Sequence, residues 1–150
     1  QELQKTNPKN IIMDIYTDWC GPCKLMDKNT FQNQEVAKFL NDNFYAVKFN
    51  AEGNSVVNYK GKVYKNPGYK ETKSARNSSH NFTRYLGVYG YPTIVFFDKN
   101  TNPIAPITGY LTPKQIEIYL NLFRDEKYLQ IKSQDDFKEF LNNFESKFKS

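Results

Sequence analysis

A predicted strand that leads directly into two closely spaced cysteines is the feature that most constrains the fold of this chain. Asn10 to Tyr16 is a short apolar run with branched side chains, which is typical of a buried parallel strand. The motif Trp19-Cys20-Gly21-Pro22-Cys23 follows after two intervening residues, and from Pro22 onward the pattern becomes helical. The sequence therefore predicts that both cysteines lie at a strand-to-helix junction.

The rest of the chain alternates between predicted strands and helices, which indicates an α/β fold. Thr112-Pro113-Lys114-Gln115 gives the clearest helix start, because it combines a hydroxyl cap, a proline in the first turn and a glutamine three residues after the cap. The other predicted elements are a helix capped by Asn33, a strand from Phe44 to Phe49, a short helix from Phe82 to Leu86, a hairpin of Ile94 to Phe97 with Ile104 to Thr108, and a last helix capped by Ser133.

Two segments do not fit this alternation. Residues 53–81 lose clear periodicity and are rich in Asn, Ser, Gly, Lys and Tyr, which predicts an insertion or a long loop. Residues 124–150 form a C-terminal extension whose apolar residues follow a helical spacing, and we expect them to dock on the domain rather than on a membrane. These residues are Phe137, Phe140, Leu141, Phe144 and Phe148. The length of 150 residues predicts one domain that spans 1–150.

Charge and composition argue against several classes of function. The net charge is +5, but the lysines are scattered and form no dense block, so we expect no nucleic-acid partner. No apolar run approaches the roughly 20 residues of a transmembrane helix. A structural zinc site needs about four ligands, whereas the chain offers two cysteines and one distant histidine, His80, which we interpret as a polar loop residue. We therefore expect no metal site.

The pair Cys20 and Cys23 is the strongest candidate for chemistry. A helix N-terminus offers unpaired N–H groups and about half a positive charge, which favours the thiolate of Cys20. The two-residue spacing lets the second sulfur attack a mixed disulfide that the first has formed. We therefore expect Cys20 to be the exposed nucleophile and Cys23 the recessed resolving thiol. A purely structural disulfide is the weaker interpretation, because so short a loop removes little chain entropy.

Two segments carry a family resemblance. Ile12 to Lys24 resembles the active-site segment of the thioredoxin family, and Gly90-Tyr91-Pro92-Thr93 resembles the cis-proline loop of that family. Over residues 10–52 and 82–123 the chain looks like the thioredoxin-like group that includes the C-terminal domain of the periplasmic thiol:disulfide interchange protein. This resemblance is specific, because the two motifs occur together and the second precedes a predicted strand.

The resemblance implies both a fold and an activity. The implied fold is a thioredoxin fold, with a central mixed sheet flanked by helices, an insertion at about 53–81 and an additional C-terminal helix. The implied activity is that of a thiol-disulfide oxidoreductase whose redox group is the Cys20–Cys23 disulfide, without any other cofactor. Gly21 and Pro22, between the cysteines, resemble the pair in reducing thioredoxins and predict a protein-disulfide reductase. A disulfide isomerase and an electron relay remain open.

Two charged residues are candidates for catalytic support. Asp14 interrupts the apolar strand six residues before Cys20, where burial would raise its pKa and suit it to accept a proton from Cys23. Lys48 lies in the neighbouring predicted strand and matches the lysine partner of the family. The alternative role for Asp14 is a buried ion pair with Lys48, and the two roles are compatible.

Six residues are candidates for substrate binding. The resemblance implies a cis peptide between Tyr91 and Pro92, which would leave a backbone edge free to pair with an extended substrate. Trp19 offers an aromatic contact surface beside the cysteines, although simple packing is an equal alternative. Gly109 matches a glycine that lets the substrate backbone approach, and otherwise it is a turn residue. Gly21 and Pro22 complete the predicted binding surface.

The expected partners are protein disulfide or dithiol substrates and an upstream electron donor, and we expect a monomer. The insertion follows the strand that ends at Phe49, so it should wall the active site and present Tyr59, Tyr64 and Tyr69, with neighbouring lysines, to a partner. The alternative function is a binding module in which this insertion and the Phe-rich C-terminal helix recruit a partner. The first residue is Gln1 rather than Met, so we expect a processed or trimmed N-terminus. Together with the resemblance to an envelope redox domain and with cysteines that occur only in the active pair, this predicts a periplasmic or cell-envelope location, with the cytoplasm as the alternative.

Overall fold

A four-stranded mixed sheet organises the computed structural model, which describes residues 3–71 and 76–149. The strands are β1 (Asn10–Tyr16), β2 (Phe44–Asn50), β3 (Val57–Tyr59), β4 (Lys62–Tyr64), β5 (Thr93–Phe97) and β6 (Pro103–Thr108). The sheet order is β2-β1-β5-β6, with β1 parallel to β2 and antiparallel to β5, and with β5 antiparallel to β6. The predicted mixed sheet and the predicted positions of its four strands are confirmed.

Three helices begin at the caps that the sequence predicts, Asn33, Thr112 and Ser133. The helices are α1 (Leu3–Thr6), α2 (Gly21–Met26), α3 (Gln34–Asn43), α4 (Asn81–Tyr85), α5 (Pro113–Arg124) and α6 (Gln134–Asn143), with a π-helical turn at Asp27–Phe31 and a 3₁₀ turn at Lys127–Gln130. The predicted caps belong to α3, α5 and α6, whereas α1 was not predicted. Asn33 accepts the backbone N–H of Glu35 at 2.9 Å, and Thr112 forms the predicted reciprocal capping pair with Gln115. The π-helical turn that continues α2 was not predicted.

A hydrophobic core lies on each face of the sheet, because alternate residues of a strand point to opposite sides. On one face Ile12, Ile94 and Phe96 pack with residues of α3 and α5. On the other face Val95 and Phe97 pack with residues of α4 and of the β3–β4 hairpin. The site at the end of β1 therefore rests on a sheet that is packed on both faces.

The predicted insertion contributes a hairpin to this second core. Strands β3 and β4 pair around a turn in which Lys60 and Gly61 both have positive φ, 52° and 79°, as a two-residue type I′ turn requires. Tyr59 and Tyr64 are each 7% exposed and pack on Phe82 with ring centroids 5.2 Å away. The prediction that these two tyrosines face a partner is therefore wrong. Burial raises the pKa of Tyr59 to about 12.

His80 is a buried residue, and its interpretation as a polar loop residue is wrong. Its side chain is fully buried and caps α4, because Nδ1 accepts the backbone N–H of Phe82 at 3.0 Å. This assigns the ring proton to Nε2, which donates to the carbonyl of Ser55 at 2.6 Å. The ring also packs edge-on against Phe49. His80 thus ties the two ends of the insertion to the second core.

The C-terminal extension docks on the domain as predicted, although its helix is shorter. Phe137, Phe140 and Phe148 pack against the first core. Helix α6 ends at Asn143, so Phe144 and Phe148 lie beyond it, and the prediction of one helical stripe up to Phe148 is wrong there. None of the helices in residues 3–71 and 76–149 has both the length and the apolar character that crossing a membrane requires.

Candidate active site

Cys20 and Cys23 form a disulfide at the N-terminus of α2. Their Cα atoms are 5.3 Å apart, and the sulfur of Cys20 accepts the backbone N–H of Cys23 at 3.1 Å. Cys20 is therefore the N-cap of the helix, and Pro22 lies in the first turn, where a missing N–H costs nothing. The predicted position of the pair at a strand-to-helix junction is confirmed.

Both sulfur-bearing residues are buried in the disulfide state. Cys20 is 2% exposed and Cys23 is 7% exposed, whereas Gly21 and Pro22 between them are exposed. The prediction of an exposed Cys20 and a recessed Cys23 is therefore wrong for this state. The reason is geometric, because both the disulfide and the cap hydrogen bond draw the Cys20 sulfur toward the helix.

Cys23 and Asp14 line the same cavity, which has a volume of about 200 Å³. Asp14 is 9% exposed, and burial raises its pKa from 3.8 to about 6. The positive charge of Lys48 opposes this shift, and the negative charge of Asp27 adds to it. The predicted burial and raised pKa of Asp14 are confirmed. At neutral pH this carboxyl is mostly ionised, so it can accept a proton inside the cavity that Cys23 lines.

Lys48 lies beside Asp14 in the parallel register of β1 and β2, but its ammonium bonds elsewhere. Its Nζ is 3.4 Å from Oδ1 of Asp27 and 5.0 Å from the centroid of the Tyr16 ring. The Lys48 side chain is 58% exposed, so the alternative of a buried Asp14–Lys48 ion pair is wrong. Sequence reasoning missed Asp27, although its position one helical turn after Cys23 was a signal.

Trp19 is held by the residues at both ends of the insertion. Its indole N–H donates to Oε1 of Glu52 at 2.8 Å, and the backbone N–H of Asn77 donates to the same oxygen at 2.8 Å. The guanidinium of Arg76 lies 4.7 Å from the centroid of the Trp19 ring, and Tyr91 packs edge-on against that ring. We call these five residues the Trp19 cluster.

The Trp19 cluster brings the last residues of the insertion, Arg76 and Asn77, beside the cysteine motif, whereas the hairpin of the insertion packs in the second core. Sequence reasoning missed Glu52, Arg76 and Asn77, because contacts between residues that are 25 positions apart leave no periodic signal in a loop-like segment. Trp19 is half-buried, which is compatible with both predicted roles, an aromatic contact surface for substrate and simple packing. Burial raises the pKa of Tyr91, which the cluster also holds.

The Tyr91–Pro92 peptide bond is cis, as the resemblance implied. The carbonyl of Pro92 accepts the backbone N–H of Gly109 at 2.8 Å. Gly109 has a φ of +115°, which residues with a side chain rarely adopt, so the backbone itself requires glycine at this position. The structure therefore joins the two predicted substrate-binding residues Pro92 and Gly109. Among the described residues, no group of three or more His, Cys, Asp and Glu side chains is arranged to bind a metal ion.

Comparison with known proteins agrees with this arrangement. A family model described as a thioredoxin-like domain matches residues 1–124. The thiol:disulfide interchange protein DsbD of Tatumella citrea is 28% identical over 128 residues, which cover 84% of this chain and 18% of that protein. The chain therefore spans less than a fifth of the length of the curated relatives that it matches first.

Two solved structures share the fold at low sequence identity. A thioredoxin-fold protein from Helicobacter pylori superposes with a TM-score of 0.67 at 19% identity, over 91% of this chain and 81% of that chain. The C-terminal domain of DsbD from Neisseria meningitidis, in its reduced form, superposes with a TM-score of 0.52 at 18% identity, over 81% of this chain and 87% of that chain. The predicted thioredoxin fold is confirmed.

Proposed function

This chain belongs to the thioredoxin-like domain family, and from that membership we propose that it is a thiol-disulfide oxidoreductase that acts as a protein-disulfide reductase. One observation carries the proposal: the Cys20–Cys23 disulfide caps a helix N-terminus, and the cavity lined by Cys23 also contains the buried carboxyl of Asp14. A nucleophile, a resolving sulfur and a proton acceptor are thus within one site.

The proposed reaction begins with Cys20 in the reduced protein. The N–H groups of the first turn of α2, including that of Cys23, stabilise its thiolate. The thiolate attacks one sulfur of the substrate disulfide, so that a bond from Cys20 to the substrate forms while the substrate S–S bond breaks. The other substrate sulfur leaves as a thiolate and takes a proton from water.

Cys23 then resolves the mixed disulfide. Its thiol gives a proton to the carboxylate of Asp14, and the resulting thiolate attacks the sulfur of Cys20. The bond between Cys20 and the substrate breaks, the Cys20–Cys23 bond forms, and the second substrate sulfur leaves as a thiolate. This thiolate takes a proton from water, and Asp14 returns its proton to water. Two electrons have then passed from the cysteine pair to the substrate. Lys48 assists through space, because its positive charge favours the ionised form of Asp14.

The surface around the pair supports a protein substrate. Gly21 and Pro22 are exposed between the cysteines and leave room for an approaching chain. We propose that an extended segment of the substrate pairs with the backbone near Tyr91 and Pro92, and that Gly109 leaves space for it. The features that would suit a binding module without redox activity are packed instead, since Tyr59 and Tyr64 lie in a core and α6 docks on the domain.

The electron donor and the compartment are also proposals. An upstream dithiol returns two electrons to the Cys20–Cys23 disulfide, and no other cofactor takes part. The similarity to thiol:disulfide interchange proteins supports this relay and a periplasmic or cell-envelope location, where disulfide substrates persist; the cytoplasm is the alternative. We propose a monomer, which sedimentation of the purified domain would test.

Disulfide reduction by purified variants tests the proposed function. The wild-type domain, supplied with a dithiol donor, should reduce insulin, and Cys20→Ser should abolish turnover while thermal unfolding shows an intact fold. Cys23→Ser should accumulate a mixed disulfide at Cys20, because release of the substrate requires the resolving sulfur. A domain that binds its partner fully without either cysteine and shows no turnover would instead be a binding module.

A further inference from the structure

Arg76 presents an exposed guanidinium at a fixed place beside the cysteine pair. Its charged group lies 4.7 Å from the centroid of the Trp19 ring, and Trp19 is bonded directly to Cys20. In the part of the chain that the structure describes, Arg76 forms no ion pair and no hydrogen bond through its side chain. The planar N–H groups of an arginine match the two oxygens of a carboxylate, so this group is available for a carboxylate on a docked protein.

Two acidic side chains near the pair are already hydrogen-bonded. Glu52 accepts two N–H groups at 2.8 Å, from Trp19 and from Asn77, and Asp18 accepts the amide of Asn50 at 3.3 Å. Donors within the chain therefore already occupy these carboxylates, whereas no acceptor among the described residues occupies the guanidinium of Arg76. This difference favours a partner that brings a negative charge to the rim of the site.

The position of Arg76 is set by contacts on both of its sides. Stacking on Trp19 fixes its guanidinium, and the hydrogen bond from Asn77 to Glu52 fixes the backbone one residue later. A side chain that is already ordered loses little entropy when it binds a partner, which strengthens the contact. Lys24, exposed just after Cys23 and without an ion pair among the described residues, adds a second cation at the other end of the motif.

We infer that Arg76 binds a carboxylate of the substrate, so that the site selects protein disulfides flanked by Asp or Glu side chains. This inference rests on the proposed function, because it specifies the substrate of the same cysteine pair. It assigns to the last residues of the insertion a role in substrate choice. The reaction at Cys20 is the same for every substrate. Selectivity therefore arises when the substrate first binds and while it is held in the mixed disulfide.

Three synthetic peptides with one internal disulfide test the inference. They share a sequence except for two flanking residues on each side, which are Glu, Gln or Lys. The reduced wild-type domain is mixed with each oxidised peptide, and the second-order rate of peptide reduction is measured by chromatography at low and high salt. We expect the Glu peptide to react about 3- to 10-fold faster than the Lys peptide at low salt, with the ratio falling toward one at high salt.

Variants of Arg76 distinguish a specific contact with the peptide from a general effect of the net charge of the protein. Arg76→Gln should bring the ratio of the Glu-peptide rate to the Lys-peptide rate closer to one, and Arg76→Glu should reverse that ratio. Arg76→Lys should keep the part of the ratio that depends on salt, but it should lose the contribution of the paired N–H contact. Arg84→Gln is the matched control, since it removes the same charge from an exposed residue of α4 and should leave the ratio unchanged.

The outcomes distinguish this inference from the proposed function. Reduction of all three peptides at equal rates, or a ratio that Arg76→Gln does not alter, overturns the role of Arg76 and leaves the reductase proposal intact. Absence of reduction of any peptide by the reduced domain overturns the proposed function itself. A ratio that Arg84→Gln lowers as much as Arg76→Gln would show a general charge effect and would also overturn the specific contact.

Discussion

The ammonium of Lys48 lies 3.4 Å from the carboxylate of Asp27, although Lys48 is the register partner of Asp14. Asp14 is consequently buried without a direct ion pair in the described structure, and its pKa is raised to about 6. A carboxyl with this pKa can take up and release a proton close to neutral pH, which is the property that the resolving step requires.

The first prediction is that Asp14→Asn raises the stability of the oxidised domain at neutral pH. The carboxyl titrates near 3.8 in the unfolded chain and near 6 in the folded one. Its favourable contribution is therefore fully present below about pH 3.8 and is lost as the pH rises through about 6. We expect a gain of up to roughly 3 kcal/mol at pH 7.5 and almost none at pH 3.5. Urea unfolding at both pH values measures this, and an equal effect at both would contradict it.

Asp27→Asn should lower the pKa of Asp14. The substitution removes a negative charge that raises this pKa, and it releases Lys48 to approach Asp14. The pH midpoint of mixed-disulfide resolution, followed in single turnover, should move to lower pH as well. Asp42→Asn is a suitable control, because Asp42 pairs with Lys38 on the surface of α3. A midpoint that moves equally in both variants, or in neither, would refute the role of Asp27.

Reduced Cys20 should have a thiol pKa well below the value of about 8.5 for a free cysteine, because it accepts an N–H at the start of α2. The rate of alkylation by iodoacetamide against pH gives two separate quantities. The midpoint reports the pKa, and the plateau at high pH reports access to the sulfur, which is 2% exposed in the disulfide state. A midpoint close to that of a model thiol would rule out an activated nucleophile, whatever the plateau.

Most of the fold could be predicted because its signals are local. The apolar run before Cys20 and the capping pair of Thr112 and Gln115 act within a few residues, and both appear where expected. The hairpin was missed because its turn is Lys60-Gly61, which lacks the Asn-Gly or Asp-Gly pair that signals such turns most strongly. A weaker signal was the alternation of Val57 and Tyr59 just before Gly61.

The sequence predicted which residues form the candidate site better than it predicted the contacts between them. The cysteines and Asp14 were identified because their spacing in the sequence indicates thiol-disulfide chemistry. The exposure of Cys20, the partner of Lys48 and the burial of His80 depend on which segments meet in space, and no local pattern encodes that. A lone histidine among polar residues looks like a loop residue until its ring is seen to cap a helix.

Tyr59 should be essential to stability, and so should the part of the insertion that carries it. Tyr59→Phe removes the hydroxyl bond to the carbonyl of Thr101 and should cost about 1 kcal/mol, whereas Tyr59→Ala should cost about 3–5 kcal/mol through the cavity it leaves. Replacement of residues 55–79 by a short linker should therefore unfold the second core. Thermal unfolding of each variant measures this, with the 83% exposed Tyr89→Ala as the control. A similar small loss for Tyr59→Ala and Tyr89→Ala would contradict the prediction.

Glu117 should hold the C-terminal segment on the domain. This buried carboxyl in α5 accepts the hydroxyl of Ser146 at 2.6 Å and the backbone N–H groups of Lys147 and Phe148 at 2.7 and 3.2 Å. Glu117→Ala leaves the backbone N–H groups of Lys147 and Phe148 without this acceptor, and we expect a loss of about 2–3 kcal/mol in the free energy of unfolding.

The contact between Glu117 and the tail can be measured at the tail itself. Amide hydrogen exchange at Lys147 and Phe148 should accelerate in Glu117→Ala, while the amides of β1 and β5 remain protected, because the tail lies outside the sheet. Glu139→Ala, which removes an exposed carboxylate from α6, is the matched control and should leave both sets of amides unchanged. Faster exchange in β1 and β5 together with the tail would show that Glu117 supports the core as a whole. Unchanged exchange at the two tail amides would show that the packing of Phe148 against the first core is sufficient to hold the segment.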